Sequence, residues 1–184
     1  MRGLLPVDQL IQLSKSNGME SLALTDINCL SGFINFVKHC NSMDVNPIAG
    51  ANLIKKNEDI VVLVENQIGY ENLCRIISKI YDRKDQKISD IIASHFSGLF
   101  ILTEKYSILK QLNSVVSNTH LFVELRPGGS ESEARKLAKK LKLEVVATGN
   151  VYFHNMKDYE SYLILQAINK NTKISTKLIN VLIR

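Results

Sequence analysis

Short apolar runs alternate with helical patterns along this sequence, and the alternation limits the possible fold more than any other feature. After a helical pattern that begins at Pro6, an apolar run over 20–25 has the length of a strand. Further runs of this kind lie at 47–54, 60–64, 98–103, 120–125 and 144–148. Apolar runs separated by helices are typical of parallel strands covered on both faces by crossover helices. The pattern predicts an α/β fold.

The composition fits a globular protein without a membrane anchor. The chain has 184 residues, of which 45% are hydrophobic and 22% charged, enough for one domain with a sizeable core. Its longest uninterrupted apolar runs are about five residues, far below the roughly 20 that span a bilayer. The apolar stretch at the N-terminus is also too short for a signal peptide. We therefore expect a cytoplasmic protein that does not bind membranes.

The cysteines indicate neither disulfides nor a cysteine zinc site. The chain has an odd number of cysteines, Cys29, Cys40 and Cys74, and no two of them form a CxxC pair. Cys40 and Cys74 occupy apolar positions of helical patterns, so we expect reduced thiols in the core at these two positions.

Ligands of α/β folds bind at the carboxyl ends of the strands, and this rule selects a few candidate positions. Asp26 follows the apolar run 22–24, where a carboxylate is a frequent metal ligand, but the next residue is Ile27 rather than a histidine. The corresponding positions of later strands are Asn52, 103–105 and 150–154.

Four stretches of the chain occur in the order of a known family. They are RGLLPVDQLIQLSKSNGMESLALTDIN, NPIAGANL, VVLVENQIGYENLCRIIS and VVATGNVYFHNMKDYESYLILQAINKNTKIS. Together they resemble the PHP (polymerase and histidinol phosphatase) domain of the bacterial DNA polymerase III alpha subunit. The greatest similarity is to the error-prone-like branch, in which the metal site is often eroded.

The resemblance implies a fold and a domain organisation. The expected fold is a PHP-type distorted (β/α)7 barrel whose first strand is missing or truncated, because the family's first strand matches sequence upstream of Arg2. The expected organisation is a PHP-like domain over 1–172, incomplete at its N-terminus. Residues 173–184 would then begin the connection to a following polymerase region.

Active members of the family hold a metal cluster at the carboxyl face of the barrel, and the resemblance maps its ligands onto altered residues. Two of the ligands form a His-x-His motif in the first strand, upstream of this sequence. The family's Asp-His pair becomes Asp26 and Ile27. An expected Glu becomes Asn52, and a final Asp-x-His becomes Asn150 and Tyr152.

These replacements predict a dismantled metal site. Only Asp26 keeps a ligand of the right chemistry, and one carboxylate does not offset the desolvation of a divalent cluster. We therefore expect no catalytic residue, metal or other cofactor on this chain, with zinc or manganese in a rearranged site as the alternative. His154 is a weak candidate ligand for such a site, because it shares strand parity with Tyr152 if the last strand continues.

A run of positive charge gives a second candidate site. The formal net charge is +5 and the sequence pI is about 9.1. The densest basic run forms the outer face of a predicted helix, which is either a solvated face or a nucleic-acid-binding patch. Aromatic residues do not interleave with this run, which argues against stacking on bases. The candidate residues are Arg135, Lys136, Lys139, Lys140 and Lys142.

Three functions are open at this point. The leading interpretation is a non-catalytic PHP module that supports DNA-directed DNA synthesis, in replication or repair, by a parent nucleotidyltransferase. Its partners would be the remainder of the polymerase polypeptide, DNA through the parent protein, and other replication subunits. The second is a metal-dependent phosphoesterase, pyrophosphatase or 3′–5′ exonuclease with a rearranged site, and the third is a free-standing nucleic-acid-binding module. The loss of ligands favours the first over the second.

Overall fold

A computed structural model describes residues 3–82 and 85–172, so the expected connection over 173–184 lies outside the described residues. The helices are α1 (Val7–Ser16), α2 (Phe33–Ser42), α3 (Gln67–Asp82), α4 (Ile88–Ala93), α5 (Tyr106–Leu112), α6 (Glu131–Leu141) and α7 (Tyr159–Lys170), with a 3-10 turn over Met156–Asp158. The strands are β1 (Ser21–Ile27), β2 (Asn46–Lys55), β3 (Glu58–Val64), β4 (Leu99–Thr103), β5 (Leu121–Leu125) and β6 (Glu144–Ala147). The predicted alternation of strands and helices is confirmed.

The described strands form one sheet in the order β1-β2-β3-β4-β5-β6. Neighbouring strands pair in parallel except at β3, which is antiparallel to both β2 and β4. The chain reverses there because only Lys56 and Asn57 separate the paired residues Lys55 and Glu58. So short a connection forms a hairpin and is far too short for a parallel crossover. The predicted α/β class is confirmed, with a sheet that is mostly rather than entirely parallel.

Helices α1 to α6 pack on one face of the sheet. Ala51, Val62, Ile101 and Leu121 are successive register partners across β2 to β5, so their side chains share a face. All four are buried in one apolar cluster with residues of α3, α4, α5 and α6. On the same face of β1, Leu24 packs into a second cluster with α1 and α2. We call this the helix face.

The opposite face, here called the inner face, is more polar. It carries Asn52, Asp59 and Glu124, and most of its apolar positions are only half-buried. The expectation that helices cover both faces is therefore wrong for the described part of the chain. In a barrel the helices lie outside and the strands turn their inner faces toward one another. A strand can therefore shield residues of both its faces from solvent with helices on one face only.

A side-chain cap marks the start of α6, and the cysteines carry free thiols. Ser130 Oγ accepts a hydrogen bond from Glu133 N at 3.3 Å, which caps the start of α6. The three cysteines are free thiols: Cys40 is buried as expected, whereas Cys74 is half-buried, as is Cys29.

Within the residues that the structure describes, no helix combines the length and the apolar character that a membrane span requires.

Candidate functional site

Polar residues from several strands meet at the carboxyl edge of the sheet. Strands β1, β2, β4, β5 and β6 all end there, and the antiparallel β3 begins there. This is the edge at which ligands bind in folds of this class.

Asp26 and Asn52, two of the predicted positions, lie on opposite faces of the sheet. Strand β1 continues through Ile27 instead of ending near Thr25, so Asp26 is inside the strand. Asp26 pairs with Ala51, a residue of the helix face, whereas Ile27 pairs with Asn52. Paired residues of neighbouring strands point to the same side, so Asp26 faces the helices while Ile27 and Asn52 face inward.

The surroundings of Asp26 agree with this orientation. A side-chain carbon placed on Gly32 would lie 3.0 Å from Asp26 Oδ2 and 3.3 Å from Leu24 Cδ2. Gly32 directly precedes α2, so the Asp26 carboxylate lies beside the start of that helix. A negative charge at a helix N-terminus is favourable because the unpaired N–H groups there carry partial positive charge. Asp26 thus has a structural role available that needs no metal.

Asn52 is the predicted position that does face the inner side of the sheet. Its side chain is buried, and Oδ1 has no hydrogen-bond partner among the described residues. Its register neighbours on the inner face are Ile27 and Val61, neither of which offers a metal ligand. The buried oxygen of Asn52 is therefore one neutral potential metal ligand, and its neighbours on both adjacent strands are apolar.

Asn150, Tyr152 and His154 lie beyond the last strand. Strand β6 ends at Ala147, so the strand parity that would have turned His154 inward does not apply. Tyr152 Oη donates a hydrogen bond of 2.7 Å to Asn150 Oδ1, and the Tyr152 ring stacks on Tyr162 of α7 with centroids 5.7 Å apart. His154 is exposed and lines an open cleft beside α1. Tyr152 thus holds the loop against α7, and Asn52 Oδ1 has no hydrogen bond to any of the three residues.

Three charged residues and a threonine, none of them a predicted site residue, occupy the inner face at the carboxyl edge. We call Asp59, Glu124, Arg126 and Thr148 the Arg126 cluster. Arg126 donates from Nη1 to Asp59 Oδ2 at 3.0 Å and from Nη2 to Asp59 Oδ1 at 2.8 Å. The same Nη2 lies 2.9 Å from Glu124 Oε2, and Thr148 Oγ1 donates to Glu124 Oε1 at 2.8 Å. The cluster ties the start of β3 to the ends of β5 and β6.

Burial makes the charge balance of the Arg126 cluster important. The side chain of Glu124 is 1% exposed, that of Arg126 17% and that of Asp59 25%. A carboxylate as buried as Glu124 is unfavourable without a cation and hydrogen bonds. The hydrogen bonds to Asp59, helped by Glu124, raise the pKa of the Arg126 guanidinium above its ordinary value. Arg126 therefore keeps its positive charge between the two carboxylates.

The donor set at this edge does not fit a divalent metal cluster. Both oxygens of Asp59 and Oε2 of Glu124 point at the Arg126 guanidinium, whose charge would repel a cation at the same place. In residues 3–82 and 85–172, no group of three or more His, Cys, Asp or Glu side chains has a metal-binding arrangement. The chemistry available at the edge is charge pairing and hydrogen bonding.

The Arg126 cluster left one signal in the sequence. Glu124 is a charged residue inside the apolar run LFVEL, and a buried charge requires a partner. The partner could not be named from sequence, because Asp59 reaches Arg126 only through the pairing of β3 with β4 and of β4 with β5.

The basic candidates lie on α6 and at its end. Arg135, Lys136, Lys139, Lys140 and Lys142 are all exposed. Arg135 is paired with Glu131 one turn earlier, with Nη2 2.7 Å from Oε1. Lys140 Nζ lies 4.5 Å from the ring centroid of Tyr106 on α5. The structure thus places an aromatic residue beside the basic run, which the sequence order did not suggest.

Comparison with known proteins identifies the family. The model of the PHP domain matches residues 1–169. This chain belongs to the PHP domain family. The predicted resemblance is therefore confirmed over almost the whole sequence.

Curated relatives of this PHP domain are bacterial DNA polymerases. The DNA polymerase III subunit alpha of Pasteurella multocida is 28% identical over an alignment 202 residues long, gaps included. The alignment covers 92% of this chain and 17% of that protein. An error-prone DNA polymerase of Pseudomonas fluorescens is 29% identical over 170 residues, covering 83% of this chain and 16% of that protein. The PHP domain described here thus spans about a sixth of the length of these relatives.

A solved structure shares the fold. A two-domain protein of Bacteroides vulgatus, described as containing a PHP-like metal-dependent phosphoesterase, aligns with a TM-score of 0.58 at 10% identity. The alignment covers 83% of this chain and 49% of that one. At this identity the likeness concerns the fold alone, and it supports the PHP-type α/β architecture.

Proposed function

We propose that this chain is a non-catalytic PHP module of a bacterial DNA polymerase III alpha subunit, acting in the cytoplasm. In this proposal the module supports DNA-directed DNA synthesis, in replication or repair, by a longer parent polypeptide. The named relatives are polymerases in which the matching region is a small part of the whole. The rest of that polypeptide would be the immediate partner, and DNA and other replication subunits would be reached through it.

The observation that carries the non-catalytic part is the position of Arg126. Hydrolysis of a phosphoester by a metal cluster needs ligands that gather cations around an activated water. Here the two inner-face carboxylates at the carboxyl edge, Asp59 and Glu124, surround a guanidinium instead. Asp26, the carboxylate expected from the family pattern, faces the helices. The remaining inner-face position, Asn52, supplies one neutral oxygen.

The Arg126 cluster can support the barrel without performing chemistry. A fixed guanidinium offsets the charge of the buried Glu124 and pairs with the partly exposed Asp59, so this edge of the sheet has a cation without a metal. The bidentate geometry joins β3 to β5, and Thr148 joins β5 to β6. A rigid module of this kind suits a scaffold on which other parts of a polymerase rest.

A hydrolysis assay tests the non-catalytic part. The 184-residue chain is incubated with a phosphodiester, with pyrophosphate and with 3′-labelled DNA, each in the presence of manganese or zinc. We expect no hydrolysis above a protein-free control. Metal-dependent turnover that is lost in Glu124→Gln or Asp26→Asn would overturn the proposal and establish the phosphoesterase, pyrophosphatase or exonuclease alternative. Metal analysis of chelator-treated and reloaded protein completes the test, and two equivalents of bound metal would contradict it.

The polymerase part is tested on the coding sequence around this chain. A downstream region that encodes a polymerase palm with its catalytic carboxylates is the expected result. A reading frame that contains the PHP domain and no polymerase region would refute the parent-protein proposal, whatever the hydrolysis assay gives.

A further inference from the structure

The basic residues of α5 and α6 lie on two helices that contact each other. Lys136, Lys139 and Lys140 lie on the outward side of α6, opposite the buried Ala134 and Ala138. Lys142 follows at the end of the helix, and Lys110 lies on α5, four residues and therefore about one turn after Tyr106. We call the five lysines together with Tyr106 the α5–α6 surface.

The positive charge of this surface is largely uncompensated. None of the five lysines has an acidic side chain within ion-pair distance in the described part of the chain. Arg135 differs, because Glu131 holds it in place and balances its charge. The acidic residues of α6, Glu131 and Glu133, lie in its first turn, at the end away from Lys139, Lys140 and Lys142. Negative charge on α6 is thus concentrated in its first turn and positive charge in its last turn.

Tyr106 restricts the position of one lysine of this surface, Lys140. Tyr106 is 40% exposed, and Lys140 Nζ lies over its ring at 4.5 Å from the centroid. Attraction between the ammonium and the ring restricts the lysine to a position beside α5. A positioned lysine loses less conformational entropy when it meets an anion, so the contact prepares Lys140 for binding.

We propose that the α5–α6 surface binds the phosphate backbone of DNA. Exposed lysines attract phosphates without regard to base sequence, and release of counterions drives the association. The inference follows from the surface and is independent of the proposed polymerase role. The surface is on the helix side of the sheet, apart from the Arg126 cluster on the inner face. Hydrolysis by this chain would therefore overturn the proposed function and leave the present inference intact.

Fluorescence anisotropy with labelled DNA tests the proposal. The probes are a duplex and a single strand of the same length, titrated with the 184-residue chain over a range of salt concentrations. The test variant is Lys136→Gln/Lys139→Gln/Lys140→Gln. The control is Lys38→Gln/Lys87→Gln/Lys157→Gln, which removes the same charge from exposed positions on other elements. Circular dichroism checks that both variants keep the fold.

The expected result is specific to the test variant. Each lost phosphate contact lowers the slope of log affinity against log salt by about 0.9 on duplex DNA and about 0.7 on a single strand. The test variant should therefore lose two to three units of slope, roughly, and on the order of tenfold in affinity at low salt. The control variant should keep most of both. The probe bound more tightly identifies the preferred form of DNA.

Two other outcomes would overturn the proposal. One is equal weakening by the test and control variants, which would mean that binding reflects net charge alone. The other is the absence of DNA binding by the unaltered chain at low salt.

A second pair of variants tests the aromatic contact. Tyr106→Leu should weaken binding by about two- to fivefold, whereas Tyr106→Phe, which keeps the ring face, should not.

Discussion

Arg126 donates two hydrogen bonds to the carboxylate of Asp59, at 3.0 Å and 2.8 Å, across strands that are not neighbours in the sheet. Asp59 lies at the start of β3 and Arg126 directly after β5, so the pair bridges the end of β4. Glu124 approaches the same guanidinium from β5. The interaction therefore acts as a clamp on the carboxyl edge, and its removal should affect the stability of the whole sheet.

We predict that Arg126→Met strongly destabilises the chain. The substitution leaves the Glu124 carboxylate buried without its cation, and breaking a buried pair in this way typically costs about 3–5 kcal/mol. Urea denaturation followed by circular dichroism measures the free energy of unfolding. Because Thr148 still donates to Glu124 and Asp59 is partly exposed, the lower end of that range is expected.

Two further variants isolate the charge effect. Arg135→Met removes an arginine from an exposed pair with Glu131 and should change the free energy of unfolding by about 0.5 kcal/mol or less. Arg126→Met/Glu124→Gln removes both buried charges and should recover part of the lost stability. A double variant no more stable than Arg126→Met would show that the arginine contributes by packing, not by charge.

Asn28 joins the end of β1 to β2, and we predict that its side chain is needed there. Its Nδ2 donates to Ile54 O and its Oδ1 accepts from Ile54 N, both at 2.8 Å, while its backbone has φ 52°. Asn28→Gly keeps the left-handed backbone accessible and loses two hydrogen bonds, roughly 1–3 kcal/mol in the free energy of unfolding. Asn28→Ala should cost about 1 kcal/mol more because its Cβ disfavours this conformation.

The matched control for Asn28 is Asn171→Gly. Asn171 also has a positive φ, 49°, at the end of α7, but within residues 3–82 and 85–172 its hydrogen bonds are made by its backbone N–H, to residues of that helix. This change should alter the free energy of unfolding by about 0.5 kcal/mol or less. Equal losses in the two glycine variants would argue that the Asn28 side chain contributes nothing beyond its backbone conformation.

The sequence predicted elements well and orientations poorly, for a physical reason. Helices and strands follow mainly from local periodicity, which lies within each segment of the sequence. The face to which a residue points depends on where a strand ends and with what it pairs. Two additional residues in β1 place Asp26 inside the strand, where its register with Ala51 turns it toward the helices. A shift of one position would have turned it inward.

The Arg126 cluster shows a second limit. Its residues come from β3, β5 and the segments after β5 and β6, and only the order of strands in the sheet brings them together. The charged residue in LFVEL predicts that Glu124 needs a partner, but several Lys and Arg residues qualify from sequence alone. Only the pairing of strands that are distant in the sequence identifies Arg126 as the partner of Glu124. The family pattern pointed instead to Asn150 and Tyr152, which contact each other.

Gly69 is a position where we predict that tertiary packing outweighs helix propensity. In an isolated helix, Gly→Ala is favourable by up to about 1 kcal/mol. Here a Cβ on Gly69 would lie 1.8 Å from Gly98 O, which is backbone and has no rotamer to change. Gly69→Ala should therefore destabilise the chain by about 3 kcal/mol, since α3 and β4 must separate.

Gly18→Ala is the matched control for Gly69→Ala. A Cβ on Gly18 meets nothing within 4 Å, although its φ of +73° disfavours alanine. This variant should lose about 1–2 kcal/mol in the free energy of unfolding, from backbone conformation alone. A Gly69→Ala variant as stable as the unaltered chain would contradict the close approach of α3 to Gly98.

The three thiols should differ in reactivity, with Cys40 the slowest. Cys40 is 0% exposed in the cluster between α1 and α2, whereas Cys29 and Cys74 are half-buried. Burial raises the pKa of the Cys40 thiol, because the thiolate is poorly solvated there. In the native protein a thiol reagent should label two cysteines quickly and the third slowly, and in urea all three should react quickly. Cys29→Ser/Cys74→Ser leaves Cys40 alone and should retain only the slow phase.

The raised pKa also sets a pH dependence, measurable on that double variant. The folded state holds the Cys40 proton more tightly than the unfolded state does. The stabilisation from this difference is present below the ordinary thiol pKa and is lost as pH rises through the higher pKa of the folded state. Urea denaturation of Cys29→Ser/Cys74→Ser should therefore show a decline over this alkaline range that is absent when Cys40→Ala is added. A fast-labelling Cys40, or identical alkaline profiles for the two variants, would contradict its burial on the inward side of α2.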